Sequence, residues 1–141
     1  MIILDTNVVS EVWRPSPYPP VMEWLRSQPA HLLYLCTPVL AELRHGAERL
    51  ENGRRKNNLK HAIDQLETQG YRDRILPLDA GAAAEFGRLM VHRERAGRRM
   101  QTMDALIAAI AVAHGACVAT RDTSDFSDLG FDLINPFEAA G

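Results

Sequence analysis

Ile2-Ile3-Leu4-Asp5-Thr6-Asn7 decides the fold, because an unbroken apolar run meets an acid and then two small polar residues. Such a run reads as a short strand buried on both faces, with Asp5 at its carboxyl end. Thr6 or Asn7 can then cap a helix whose apolar side is Val8, Val9 and Val12. A buried strand that passes directly into a helix is the opening of an alternating β/α chain.

Working outward, Arg14-Pro15-Ser16-Pro17 and Pro19-Pro20 end the first helix in a stiff loop. A second helix is predicted from about Pro20 to Ser27, with Val21, Trp24 and Leu25 at helical spacing, followed by a strand over Leu32 to Cys36. Thr37-Pro38 starts a third helix, which carries Glu42 in its opening turns and Val39, Leu40, Leu43, Ala47 and Leu50 as its core stripe. Asn52-Gly53 interrupts it before a further helix to about Gln69, so the two form a helical hairpin or clip. Ile75-Leu76-Pro77-Leu78 reads as a third strand, and Asp79 caps a long helix through Ala96 that Gly97 closes. Thr102 is placed to cap the next helix, with Asp104 in its first turn, where the helix dipole favours a carboxylate. Ala105 to Ala113 is apolar nearly all round, as a helix buried against a sheet must be, and Gly115 ends it. Cys117-Val118-Ala119-Thr120 is another strand, stopping at Arg121-Asp122, and Phe131 to Ile134 is a weak last one. The alternation predicts an α/β fold: one domain over 1–141, a three-layer sandwich with a mainly parallel central sheet and a helical hairpin clip.

Bulk properties narrow the function classes. With 141 residues, 46% hydrophobic and 24% charged, the chain suits one folded domain and excludes collagen, repeat arrays and disorder. The first residues lack the basic lead and apolar length of a signal peptide, and Ala105 to Cys117 is too short to span a bilayer, so a cytoplasmic protein with no membrane segment is expected. Cys36 and Cys117 have no metal-ligand spacing and read as buried free thiols. A net charge of −2 argues against coating nucleic acid by bulk electrostatics. Two segments are nevertheless basic: Arg44, Arg49, Arg54, Arg55, Lys56 and Lys60 in one, Arg88, Arg93, Arg95, Arg98 and Arg99 in the other. Each alone reads as a solvated helix face; together they flank an acidic centre, which suits a polyanion held near metal.

That centre is the set Asp5, Glu42, Asp104 and Asp122, each where an apolar run ends or a helix begins. Asp5 and Asp122 fall beyond strand ends, where sites in open α/β sheets gather. Gathered carboxylates repel unless a cation balances them, and acids without spaced His or Cys ligands select Mg²⁺ or Mn²⁺ over zinc. Thr6, Asn7 and Thr120 are neighbours able to orient the carboxylates. Singly, Asp5 could be a turn residue, Asp104 a dipole-stabilised helix acid, and Asp122 the start of an Asx-turn with Asp125 as a helix cap. Glu42 fits no such role, since it lies between Ala41 and Leu43 in a stripe facing a core or cleft. Asn7 stands where a haloacid-dehalogenase phosphatase needs its second Asp, and Lys occurs only at 56 and 60, far from where a receiver domain needs one. Glu42-Leu43-Arg44-His45 is a single E-x-x-H, whereas di-iron bundles need two; His45 reads as a surface residue.

Four stretches in order, residues 2–7, Thr37-Pro38-Val39-Leu40-Ala41-Glu42-Leu43, Asp104-Ala105-Leu106-Ile107-Ala108-Ala109 and Ala119-Thr120-Arg121-Asp122-Thr123-Ser124-Asp125-Phe126, resemble the ordered motifs of PIN-domain nucleases. The length and the closing Leu133-Ile134-Asn135-Pro136-Phe137 are similar to the VapC/FitB branch, toxins of bacterial toxin–antitoxin systems. The resemblance implies that Asp5, Glu42, Asp104 and Asp122 bind Mg²⁺ or Mn²⁺ and activate water. Asp122 and Asp125 are both acids where many relatives carry Asn and an acid, so either could be the direct ligand. It further implies an RNA substrate, a homodimer or a higher assembly with a small VapB/FitA-like antitoxin, and contact with DNA only through that antitoxin. The alternative of another class is a non-catalytic RNA- or partner-binding module on the same fold.

Overall fold

The computed structural model describes residues 1–138. Five strands form the centre: β1 (Ile2–Leu4), β2 (Leu33–Cys36), β3 (Ile75–Leu76), β4 (Cys117–Ala119) and β5 (Leu133–Ile134). Their order is β3-β2-β1-β4-β5, and all four pairings are parallel, with Ile2 beside both Leu33 and Cys117, and Val118 beside Leu133. The expected three-layer α/β sandwich is observed, and its sheet is parallel throughout. Such a sheet must be covered on both faces, which explains why its strands carry continuous apolar runs without alternation. Ile3, Leu35, Val118 and Ala119 are fully buried.

The helices are α1 (Thr6–Glu11), α2 (Pro19–Ser27), α3 (Thr37–Glu48), α4 (Arg54–Gln65), α5 (Ala80–Arg95) and α6 (Thr102–His114). Helix α6 buries Ala105, Ile107, Ala108, Ala109, Ile110 and Ala111, and its small residues let it lie close to its neighbours. It ends at Gly115, whose φ of +64° is the left-handed conformation a helix stop favours in glycine. Helices α3 and α4 form the expected clip, tied by Arg44 to Asp64 at 3.0 Å and Glu67 at 3.2 Å and by Lys60 to Glu48 at 2.8 Å. A π-turn over Leu66–Gly70 closes α4.

Several local expectations require correction. Asp5, not Thr6 or Asn7, caps α1, accepting from the Thr6 amide at 2.8 Å. Gln101 occupies the cap position of α6 without a side-chain bond, and Thr102 is already helical. Thr37 begins α3 as expected, and its hydroxyl accepts from the Leu78 amide at 3.3 Å. Both α1 and α6 thus start earlier than propensity indicates, within the one or two residues by which helix ends vary. Val12 lies just past the end of α1 and is exposed, and Cys117 is only half-buried. Strand β3 stops at Leu76, before Pro77, which has no amide to continue a ladder. Cys36 is buried as expected, and burial pushes its thiol up to about 12, leaving it a neutral packing group.

Candidate metal centre

The chain leaves β1 toward β2 and β3 on one side and returns from β3 to β4 and β5 on the other, so strand order reverses between β1 and β4. The crevice beyond their carboxyl ends is the topological switch point of the sheet. Asp5 follows β1 there, and Thr120, Arg121 and Asp122 follow β4; the Asp5 amide donates to Ala119 O at 2.9 Å and prolongs the ladder into the site.

Asp5 is 5% exposed and fully engaged. One carboxylate oxygen caps α1; the other accepts from Thr120 Oγ1 at 2.7 Å and Asn7 Nδ2 at 3.3 Å. Thr120, wholly buried, also accepts from the Asp122 amide at 3.0 Å, so one hydroxyl sets the spacing of both acids. Asn7 donates from Nδ2 to Asp122 Oδ2 at 3.0 Å and accepts from the Arg121 amide at 3.2 Å. Thr6 turns the other way and donates to Glu42 Oε1 on α3 at 2.7 Å. Thr6, Asn7 and Thr120 thus each hydrogen-bond to one or more of the carboxylates, and Glu42 is half-buried beside Thr6.

Asp104, half-buried at the start of α6, has its carboxyl pushed up to about 6. Burial is the first cause; the charges of Asp5, Asp125, Glu42 and Asp122 follow in that order. Asp5 is also raised by burial and by Glu42 and Asp122, against the opposing bonds from Thr120 and Thr6. All five acids thus act on one electrostatic centre. Asp122 acts on the Asp5 side through Asn7, whereas Asp125, in the 3₁₀ turn Thr123–Phe126, weighs more heavily on Asp104 than Asp122 does.

Among the described residues, no group of three or more His, Cys, Asp or Glu side chains is arranged so that it could hold a metal ion. An all-carboxylate set that is open and mutually repelling suits a hard cation such as Mg²⁺, which keeps waters and takes substrate phosphate as further ligands. The donor chemistry of Asp5, Glu42, Asp104, Asp122 and Asp125 therefore suits a hard divalent cation, while the described residues hold no completed ligand set.

Two roles escaped the sequence reading: that of Glu11, and that of Arg93, which was expected on a solvated basic face and is buried. Arg93 of α5 is 4% exposed and forks onto main-chain oxygens of Asp125 and Ser127, both at 2.9 Å, and of Arg98 at 3.4 Å. The available signal was an Arg continuing the apolar stripe Ala82, Phe86, Leu89 at helical spacing. Glu11, 3% exposed, accepts from the Tyr18 amide at 2.9 Å and from Arg14 at 3.3 Å and so fixes the loop after α1. The basic runs are largely committed within the chain: Arg44, Lys56 and Lys60 pair inside the clip, Arg88 with Glu85, and Arg98 with Asp128. Arg54 and Arg55 instead line an open cleft of about 900 Å³ with Trp13 and Arg14.

Comparison with known proteins identifies the family and the fold. The PIN domain family model matches residues 2–132. The chain is 40% identical over 140 residues to VapC ribonuclease Y4jK of Sinorhizobium fredii, covering 99% of this chain and 100% of that one. It is 39% identical to Toxin FitB of Neisseria gonorrhoeae, with 97% and 99% covered. A solved structure of FitAB bound to the IR36 DNA fragment superposes with a TM-score of 0.93 at 37% identity, covering 100% of this chain and 99% of that one.

Proposed function

Because the chain belongs to the PIN-domain family, on its VapC/FitB branch, we propose that it is a metal-dependent endoribonuclease, the toxin of a toxin–antitoxin pair. The observation that carries this reading is the gathering of acids at the switch point, where Asp5, Asp125, Glu42 and Asp122 each raise the cost of ionising Asp104.

In this reading Asp5, Asp104 and Asp122 would hold Mg²⁺ or Mn²⁺, with Asp125 available beside Asp104. Bound there, the cation would polarise the scissile phosphoryl group, lower the pKa of an attacking water and balance the leaving oxygen. Thr120 and Asn7 keep the Asp5 and Asp122 carboxylates fixed, so little reorganisation accompanies substrate entry. Glu42, anchored by Thr6, presents its carboxylate from α3 to accept the proton the water gives up. Hydrolysis is in line at an RNA phosphodiester.

The partner in this reading is a small antitoxin of the VapB/FitA kind. FitAB and the FitAcB complex from N. gonorrhoeae, the latter matching with a TM-score of 0.92 at 38% identity, are the structural precedents. We extend it to a homodimer working in the cytoplasm, in contact with DNA only through the antitoxin. Among the described residues no helix is long and apolar enough to cross a membrane.

Incubation of the purified protein with RNA and Mg²⁺ or Mn²⁺ tests the proposal. Cleavage lost with chelator and in Asp104→Asn is the expected result. Cleavage that survives both removes the metal mechanism, and RNA bound but never cut favours a binding module.

A further inference from the structure

Beside the carboxylates, two aromatic side chains and two guanidinium groups line one cleft of about 590 Å³. Tyr18 and Phe137 lie with ring centroids 6.3 Å apart and planes only 12° from parallel. The Arg121 guanidinium carbon stands 4.4 Å over the Phe137 ring centroid, and Arg14 borders the same cleft. Tyr18 is 46% exposed, a large share for an aromatic that is neither at a terminus nor covered by another element.

Polar bonds hold this group in place. Buried Glu11 accepts from the Tyr18 amide, and Asn135 accepts from the Phe137 amide at 3.0 Å. Arg121 is fixed through its own amide to Asn7, the residue whose other end holds Asp122. The cleft and the carboxylate centre therefore share Asn7 as a hinge point, one residue from each. Among the described residues, the only acid lining the cleft is Glu11, whose oxygens are taken by Tyr18 and Arg14. Tyr18, stacked on Phe137 and 46% exposed, with the Arg121 cation over the Phe137 ring, offers a π surface beside positive charge that is complementary to a planar base attached to a phosphate.

We propose that Tyr18, Phe137 and Arg121 form a stacking seat for one unpaired base of the RNA, next to the carboxylate centre. The assignment rests on the ribonuclease reading and deepens it: the seat fixes which nucleotide enters the groove beside the scissile phosphate, and it favours single-stranded over paired RNA. Arg14 and Arg121 hold the adjoining phosphate, and the latched loops mean the seat is formed before RNA arrives.

The test uses short single-stranded RNA carrying 2-aminopurine at each position in turn, with Asp104→Asn protein so that nothing is cut. Stacking quenches the probe. Quenching at one position, abolished by Tyr18→Ala or Phe137→Leu and kept by Tyr18→Phe, is expected, with a loss of affinity of about ten- to hundred-fold for the alanine variant. Tyr18 contributes no side-chain cap to α2, so its variants report on the seat even where Phe137→Leu fails to fold. Quenching at no position, or quenching that Tyr18→Ala leaves unchanged, overturns the proposal. So does Tyr18→Ala that releases a copurifying small protein while RNA binding is untouched, which would assign the cleft to a peptide. Absence of cleavage by the unsubstituted protein, with quenching intact, removes the ribonuclease reading alone.

Discussion

Arg93 Nη2 donates to the main-chain oxygen of Asp125 at 2.9 Å, although the two residues lie on α5 and on the turn after β4. The same nitrogen reaches Ser127 O at 2.9 Å, so a buried cation threads the loop that carries two of the five acids. A planar fork serves divergent carbonyls where an ammonium cannot, which makes this site specific to Arg.

Arg93→Lys should therefore destabilise the fold by about 2–4 kcal/mol, since it leaves buried carbonyls unpaired. Urea unfolding measures this. A change below about 0.5 kcal/mol would show that the loop holds itself without Arg93.

Thr6→Val keeps the size of the side chain and removes only the donor to Glu42. Loss of such an orienting bond reduces activity by about ten- to hundred-fold with little effect on folding. RNA cleavage rates and thermal unfolding on the same preparation should separate the two; equal rates for both proteins would deprive Glu42 of its anchored role.

The raised carboxyls of Asp104 and Asp5 give the metal-free protein a definite pH dependence. Asp104 is displaced from 3.8 to about 6, so its contribution to stability is full below about 4 and lost as pH rises through about 6. Asp5 is raised and acts in the same direction. Glu48, held low by Lys60, titrates below this window. In chelator, the melting temperature should rise as pH falls from about 7.5 to about 5.5, and Asp104→Asn should flatten that slope. A melting temperature that falls over the same range contradicts the carboxylate cluster.

In the proposed reading a divalent cation should reverse this trend, because it would bind the ionised acids. Mn²⁺ at about a hundredfold above its dissociation constant should add about 2.7 kcal/mol near neutral pH, and progressively less toward pH 5. Calorimetry with and without chelator gives the comparison; a stabilisation independent of pH would place the ion elsewhere.

The basic clip offers a discriminating pair. Lys60 is spent on Glu48, whereas Arg54 and Arg55 face an open cleft. Arg54→Ala with Arg55→Ala should lower RNA affinity and reduce the salt slope by about 0.7 per lost phosphate contact, while Lys60→Ala should change neither appreciably. Equal effects from both substitutions would mean that the Glu48 pair opens to receive RNA.

Sequence by itself determined the strand–helix alternation and the positions of the acids, because buried parallel strands need continuous apolar runs and their ends admit polar residues. Ile2-Ile3-Leu4-Asp5 and Cys117-Val118-Ala119-Thr120 show this directly. The motif order was enough to indicate the family as well. Tertiary structure alone decided that β1 and β4 are neighbours, since a pairing across more than a hundred residues leaves no local signal. From that adjacency follow the Thr120–Asp5 bond, the Asn7 bridge to Asp122 and the rise of Asp104. Arg93 was hidden for the same reason: its partners are main-chain oxygens, which every residue possesses and which only folding brings within reach.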